Sequence, residues 1–235
     1  AKRNRSRVII SLWSIGFLIF LGVTYLKFTR YAAPVLPLLL LFAAKTLTDL
    51  RNTALRYPSF ALIILHVVYG LMFSSIYFVP HTSLAASRWI AKHIPKKSSI
   101  LVEEWNSIIR FSRPELTEQA YRIASVNFYA PESETKKKLL QATLNTSDYV
   151  ILESPKVRRT IMRLREKYPY TATVYEQLDN GRLGFTEVAR FTSYPRLGPF
   201  MINDEGAEET FTVFDHPTVT IYRKETRNSE INGVP

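Results

Sequence analysis

Three apolar runs, residues 8–25, 31–44 and 60–79, fill the first third of this chain, and they restrict what it can fold into more than any other feature. A hydrocarbon core of roughly 30 Å needs about 20 apolar residues at about 1.5 Å of helical rise each. The first run has 18 residues and no charge; the third has 20, with His66 as its one group that titrates near neutrality. The middle run has 14 and reaches 17 by taking in Lys45, Thr46 and Leu47, with the lysine snorkelling toward the headgroups. The pattern predicts a membrane α-helical region, residues 1–79, with spans near 8–25, 31–47 and 60–79. A charged domain of mixed pattern, residues 80–235, follows it.

The net charge of +11 resembles a nucleic-acid signal until it is divided along the chain. Residues 1–79 carry nine Lys or Arg against the single acid Asp49, whereas residues 80–235 carry 22 basic and 19 acidic residues. The basic excess therefore flanks the apolar runs, as the positive-inside bias requires. The later domain lacks the basic excess of a phosphate-tracking surface, so no nucleic-acid partner is expected. The chain contains no cysteine, which excludes disulfides, thiolate chemistry and cysteine zinc sites. Its basic start resembles a signal peptide, but the apolar part exceeds the usual length of about 7–15 residues and no small-x-small cleavage site follows. It opens on Ala1 rather than Met, as expected of a piece cut from a longer protein.

The loops set the expected orientation. Lys2, Arg3, Arg5 and Arg7 precede the first span, and Lys45, Arg51 and Arg56 lie around the loop between the second and third. Both flanks are expected in the cytoplasm. The third span then leads outward and places residues 80–235 outside it, in a multi-pass protein of the cell membrane. Lys27 and Arg30, in the turn between the first two spans, fall on the outer side against that bias.

Beyond Pro80 helix and strand signals alternate. Residues 83–93 read as an amphipathic helix with Ser83 as N-cap and Pro95 beyond its end. Strands are expected at 99–103, 122–129, 149–152, 185–191, 210–213 and 219–222, and helices at 132–144, 154–167 and 168–178. Asn180-Gly181 ends the last of these helices. Tyr149, Val150, Ile151 and Leu152 form a continuous apolar strand, the mark of a sheet covered on both faces. This order predicts an open, mainly parallel α/β sheet with an antiparallel extension at its C-terminal end. Lys136, Lys137 and Lys138, and likewise Arg158, Arg159, Arg163 and Arg165, are expected on solvated faces.

No glycine-rich phosphate loop is present. Asp215-His216-Pro217 reads as a turn between two strands, with a catalytic His–Asp pair as the minor alternative. Glu103 and Glu104, at a strand end and followed by Trp105, are the candidate sugar or acceptor contacts. Ligands of open α/β sheets gather beyond the strand C-termini, and carboxylates beside an aromatic plane suit a sugar. No metal ligands and no cofactor site are expected.

The run Lys27-Phe28-Thr29-Arg30-Tyr31-Ala32-Ala33-Pro34-Val35-Leu36-Pro37-Leu38 resembles the K-x-x-R-Y-x-x-P-x-x-P segment of lipid-carrier-dependent glycosyltransferases of the GT-C membrane superfamily. These are relatives of protein mannosyltransferases and aminoarabinose transferases. The runs at 84–90, 191–195 and 213–217 resemble the extracytoplasmic tail of bacterial members. The resemblance implies transfer of a sugar from a polyprenyl-phosphate carrier, the lipid-linked donor, to an extracytoplasmic acceptor. It also implies that Lys27, Arg30 and Tyr31 bind the carrier phosphate. The family's catalytic acid lies in its first outer loop, and no acid precedes Asp49 here. The chain therefore reads as the C-terminal part of such an enzyme, inactive alone, with an N-terminal transmembrane catalytic region as its missing partner.

Two rival readings stand beside it. One is a non-enzymatic membrane-anchored binding or assembly module. The other is a sensor or transporter accessory subunit in which His66 responds to protons.

Overall fold

Long apolar stretches without strand-forming alternation make helices in the first part of the chain, and the computed structural model describes residues 2–25, 29–49, 53–104, 120–207 and 209–225. Helix α1 (Lys2–Val23) is followed by a 3₁₀ turn (Thr29–Ala32), α2 (Leu36–Asp49) and α3 (Thr53–Ser74). Among the described residues one stretch, Ala54–His93, is long and apolar enough to cross a membrane; Val8–Val23 is a shorter apolar helix. Most large apolar side chains of α1, α2 and α3 are exposed, Leu12, Phe20, Leu40 and Ile64 among them.

The middle segment corrects one expectation. The second span is expected from residue 31, yet its helix starts at Leu36. Pro34 lies in the turn before α2, and Pro37 occupies its first turn, where a missing N–H has no partner to lose. Val35 anchors that start, its carbonyl accepting from the Leu38 and Leu39 amides at 3.1 and 3.0 Å.

The chain divides into two units, Ala1–Met72 and Phe73–Pro235. The second holds a mixed five-stranded sheet: β1 (Ser99–Glu103), β2 (Arg122–Val126), β3 (Tyr149–Leu152), β4 (Phe185–Phe191) and, last in the chain, β7 (Val219–Lys224). The spatial order is β2-β1-β3-β7-β4. β2, β1 and β3 run parallel, while β7 and β4 add antiparallel at one edge. A separate small hairpin joins β5 (Arg196–Leu197) to β6 (Phe200–Met201).

Side-chain alternation along the strands builds two cores. Leu101, Val150, Leu152 and Tyr222 face α5 (Glu134–Thr146), α6 (Lys156–Arg163) and α7 (Pro169–Asp179). Ile100, Val102, Ile151 and Ile221 face α4 (Thr82–His93), which supplies Ala86 and Ile90. Covering both faces explains why β3 is apolar throughout.

Three further expectations fail for physical reasons. Thr210-Phe211-Thr212-Val213 alternates like a strand, yet it lies in the helix α8 (Glu209–Phe214); Asp215 to Pro217 therefore joins a helix to β7. Lys136 is buried rather than solvated. Its Nζ donates to the carbonyls of Phe128 and Ala130 at 2.9 and 2.8 Å, over the Tyr168 ring, and burial holds its pKa below the ordinary lysine value. At the start of α4, His81 rather than Ser83 is the cap. His81 Nδ1 accepts from the Ser83 amide, which leaves Nε2–H to donate to the Phe214 carbonyl at 3.0 Å.

Candidate functional site

Glu103 is the last residue of β1 and Glu104 follows just beyond it, yet the first is buried and the second exposed. Glu103 lies on the α7 face, 4 % exposed, and takes a hydrogen bond from the Tyr175 hydroxyl. Glu104 is exposed, and its amide donates to the Val126 carbonyl at 3.0 Å. The two carboxylates therefore do not form a pair. Burial pushes the Glu103 pKa up to about 8, with Glu153 raising it further and Tyr175 and Arg158 opposing. Tyr175, equally enclosed, is held well above the usual tyrosine range by burial and by Glu103. At neutral pH Glu103 is a neutral acid locked in the core. Trp105 lies outside the described residues.

In the first unit, Arg30 and Tyr31 share the 3₁₀ turn before α2, with the guanidinium 5.5 Å from the centre of the tyrosine ring. Arg30 is exposed and Tyr31 borders on it. Lys27 lies outside the described residues. His66, in α3, turns its Nδ1 to the Leu62 carbonyl at 2.8 Å and lines a hollow between α2 and α3 with Thr46 and Ser59.

A further site in the second unit lies two strands over from Glu103, beside β7. It is a groove of about 710 Å³ bounded by α6, the end of α7, β4 and β7. A β-bulge creates its floor. Opposite β7 the register of β4 slips between Glu187 and Ala189, so that Glu187 faces Tyr222 and Arg190 faces Thr220. Residues three apart on a regular strand point to opposite faces; the extra residue, Val188, returns Arg190 to the side of Glu187. Arg190 then grips Glu187 through two bonds, Nε at 3.0 Å and an Nη at 2.6 Å. Its flanking residues Ala189 and Phe191 pack on the opposite face, toward α4.

The walls are similarly paired. Arg158 of α6 forms an ion pair with Asp179 at the end of α7, and the Tyr222 hydroxyl donates to the same carboxylate at 3.2 Å. Burial, then Asp179, pushes the Tyr222 pKa up to about 12, so it remains a donor at neutral pH. Glu205 accepts from the Tyr194 hydroxyl at 2.6 Å. Thr186, Thr218 and Thr220 also line the groove. Arg159 stands half-buried between the groove and a neighbouring hollow that it shares with Arg163 and Glu205. Three arginines thus face three carboxylates across a lining of hydroxyls. The result is a neutral, fixed field of hydrogen-bond donors and acceptors.

The groove corrects the expectation that Arg158 and Arg159 lie in solvent. Their place at the start of the helix after β3, just past the carboxyl end of a parallel strand, was a usable signal. The bulge left none, since nothing in Glu187-Val188-Ala189-Arg190 distinguishes it from a regular strand. Asp215 and His216, adjacent in sequence, also separate. His216 is buried against Asp204, Nε2 to Oδ2 2.9 Å, while Asp215 takes the Tyr77 hydroxyl's hydrogen bond.

No family model, no curated protein and no solved structure matches this chain.

Proposed function

We propose that this chain is the C-terminal part of an integral-membrane glycosyltransferase that moves a sugar from a polyprenyl-phosphate carrier to an extracytoplasmic acceptor. In this reading the α/β unit binds the saccharide acceptor. The observation that carries it is the groove between α6, α7 and β4. Its carboxylates, guanidinia and hydroxyls are fixed in place, its net charge is balanced, and its volume suits a sugar-sized ligand. Sugars present many hydroxyls at close spacing, and a field of ordered donors and acceptors recognises them without needing a charge on the ligand. Arg30 beside Tyr31 supports the carrier role, since a guanidinium offers phosphate a planar bidentate fork. The exposed apolar surfaces of α1, α2 and α3 suit lipid or further helices of the same bundle.

Among the described residues, the carboxylates lining the groove are each held by an arginine or a tyrosine. None is left as a base for the acceptor hydroxyl, which favours binding over catalysis here and keeps a non-enzymatic binding module as the second reading.

The test is saturation-transfer NMR on the whole chain in lipid nanodiscs, with a panel of hexose and pentose oligosaccharides. At least one should receive saturation, and Arg158→Ala and Tyr222→Phe should each weaken it. Tyr222→Phe removes one hydroxyl and should lower affinity by about 0.5–1.5 kcal/mol. In the same discs, Arg30→Ala should weaken binding of polyprenyl phosphate while leaving the saccharide signal intact. Saccharide binding with no affinity for polyprenyl phosphate would leave only the binding module.

A further inference from the structure

The segment 197–202, Leu197-Gly198-Pro199-Phe200-Met201-Ile202, carries no charge and no hydrogen-bonding side chain, yet it projects into the open. Gly198 has φ 57°, the conformation that the first central residue of a II′ hairpin turn demands, and the ring of Pro199 fixes the negative φ of the second. The tight turn holds β5 and β6 as a short finger in which Leu197 opposes Phe200 and Arg196 opposes Met201. Both faces are exposed: Phe200 is 72 % and Met201 60 % accessible. The root of the finger is fixed. The Arg196 amide donates to Ser75 Oγ at 2.9 Å, and the Ile202 amide donates to the Pro195 carbonyl at 2.9 Å.

Ser75 is the residue directly after α3, and it opens a 3₁₀ turn (Ser75–Phe78) in which Tyr77 and Phe78 are also exposed, Phe78 to 87 %. Arg196 and Met201 line one hollow with Val79 and Pro80, so the finger and the segment leaving this turn share a single surface.

We propose that the finger, together with Tyr77 and Phe78, enters the surface of the bilayer and holds the α/β unit against it. The proposal rests on the reading of α3 as a membrane span. A span ending at Ser74 leaves the hydrocarbon there, and the finger's root is hydrogen-bonded to the very next residue. Three residues at about 3.3 Å each carry the tip some 10 Å from that root, the depth to which interfacial apolar groups reach. Tyr77, with an apolar ring and a hydroxyl directed to Asp215, has the form of an aromatic-belt residue. Arg196, at the root, stands where lipid phosphates lie. The groove would then be held at a fixed height above the membrane, where a lipid-carried sugar is presented.

Because the chain has no cysteine, single probes are clean. Phe200→Cys and Ile64→Cys, the second within α3, are each labelled with the polarity-sensitive fluorophore NBD. The whole chain is then reconstituted in vesicles of phosphatidylethanolamine and phosphatidylglycerol. Both probes should show blue-shifted emission and should lose it when the acyl chains carry nitroxide, the Phe200 probe more strongly to a nitroxide near the headgroup. An Ile64 probe that is quenched beside a Phe200 probe that is not would overturn the proposal and leave the span intact. Blue-shifted but unquenched emission at Phe200 would mean that protein, not lipid, covers the finger, and would overturn it too. Water-like emission from both would remove the span and the proposal together.

Discussion

Glu103 shows how one residue's surroundings decide its chemistry. Its carboxyl is enclosed between the sheet and Tyr175, and burial raises its pKa from 4.5 to about 8. Between those values the folded chain holds a proton that the unfolded chain has released, so stability falls as pH rises through that window. Below it both states are protonated and nothing is lost. Glu103→Gln keeps an oxygen to accept from Tyr175 and cannot ionise. It should match the parent near pH 4.5 and exceed it increasingly toward pH 8, by on the order of 2–4 kcal/mol, each pKa unit being about 1.4 kcal/mol. Scanning calorimetry across that range checks this; a constant difference at all pH values would mean that Glu103 is not the buried acid described. The position of Glu103 at a strand end was legible in sequence. Its burial was not, because Glu103-Glu104 reads as a polar pair until the fold encloses one residue and leaves the other exposed. Arg158 and Arg159 were misread for the same reason in reverse: a cation-rich helix looks solvated until Asp179 arrives from a different helix to meet it.

At the scale of elements, the strongest local signals were the most reliable. Ser99–Glu103 and Tyr149–Leu152 are short apolar strands bounded by turn formers, and both lie at the centre of the sheet. Helix α7 stops where Asn180-Gly181 demands, with Asn180 as its cap and Gly181 at φ 73°. A Cβ there would meet only the Phe185 carbonyl oxygen, at an ordinary 3.8 Å, so the cost of Gly181→Ala is that of the left-handed backbone itself. It should destabilise the chain by about 1–2 kcal/mol, and Gly181→Asn by less, since asparagine tolerates that region. Chemical denaturation of the three proteins measures it, and equal stability for Gly181→Ala would show that the turn relaxes. Helix α8 went unread because Thr-Phe-Thr-Val-Phe has the composition and alternation of a strand. Its surroundings override that preference, with Val213 and Thr212 buried and His81 bonded to the Phe214 carbonyl.

For the whole molecule, the change of pattern along the chain told most. Apolar runs with basic flanks gave way to alternating helix and strand signals, and the mixed sheet with its parallel core follows from that order. The groove did not, because it draws on residues from 152 to 222 that only the sheet order β3-β7-β4 brings together. In the proposed function the α/β unit stands outside the cytoplasm on a membrane-spanning anchor, where an envelope saccharide can reach the groove. Cysteine introduced at Glu166, on the exposed end of the α6 region, and separately at Asn52, in the basic loop, tests this with a membrane-impermeant thiol reagent. Glu166→Cys should be labelled in intact cells, and Asn52→Cys only after the membrane is permeabilised. Labelling of Asn52→Cys in intact cells, with Glu166→Cys protected, would contradict this placement.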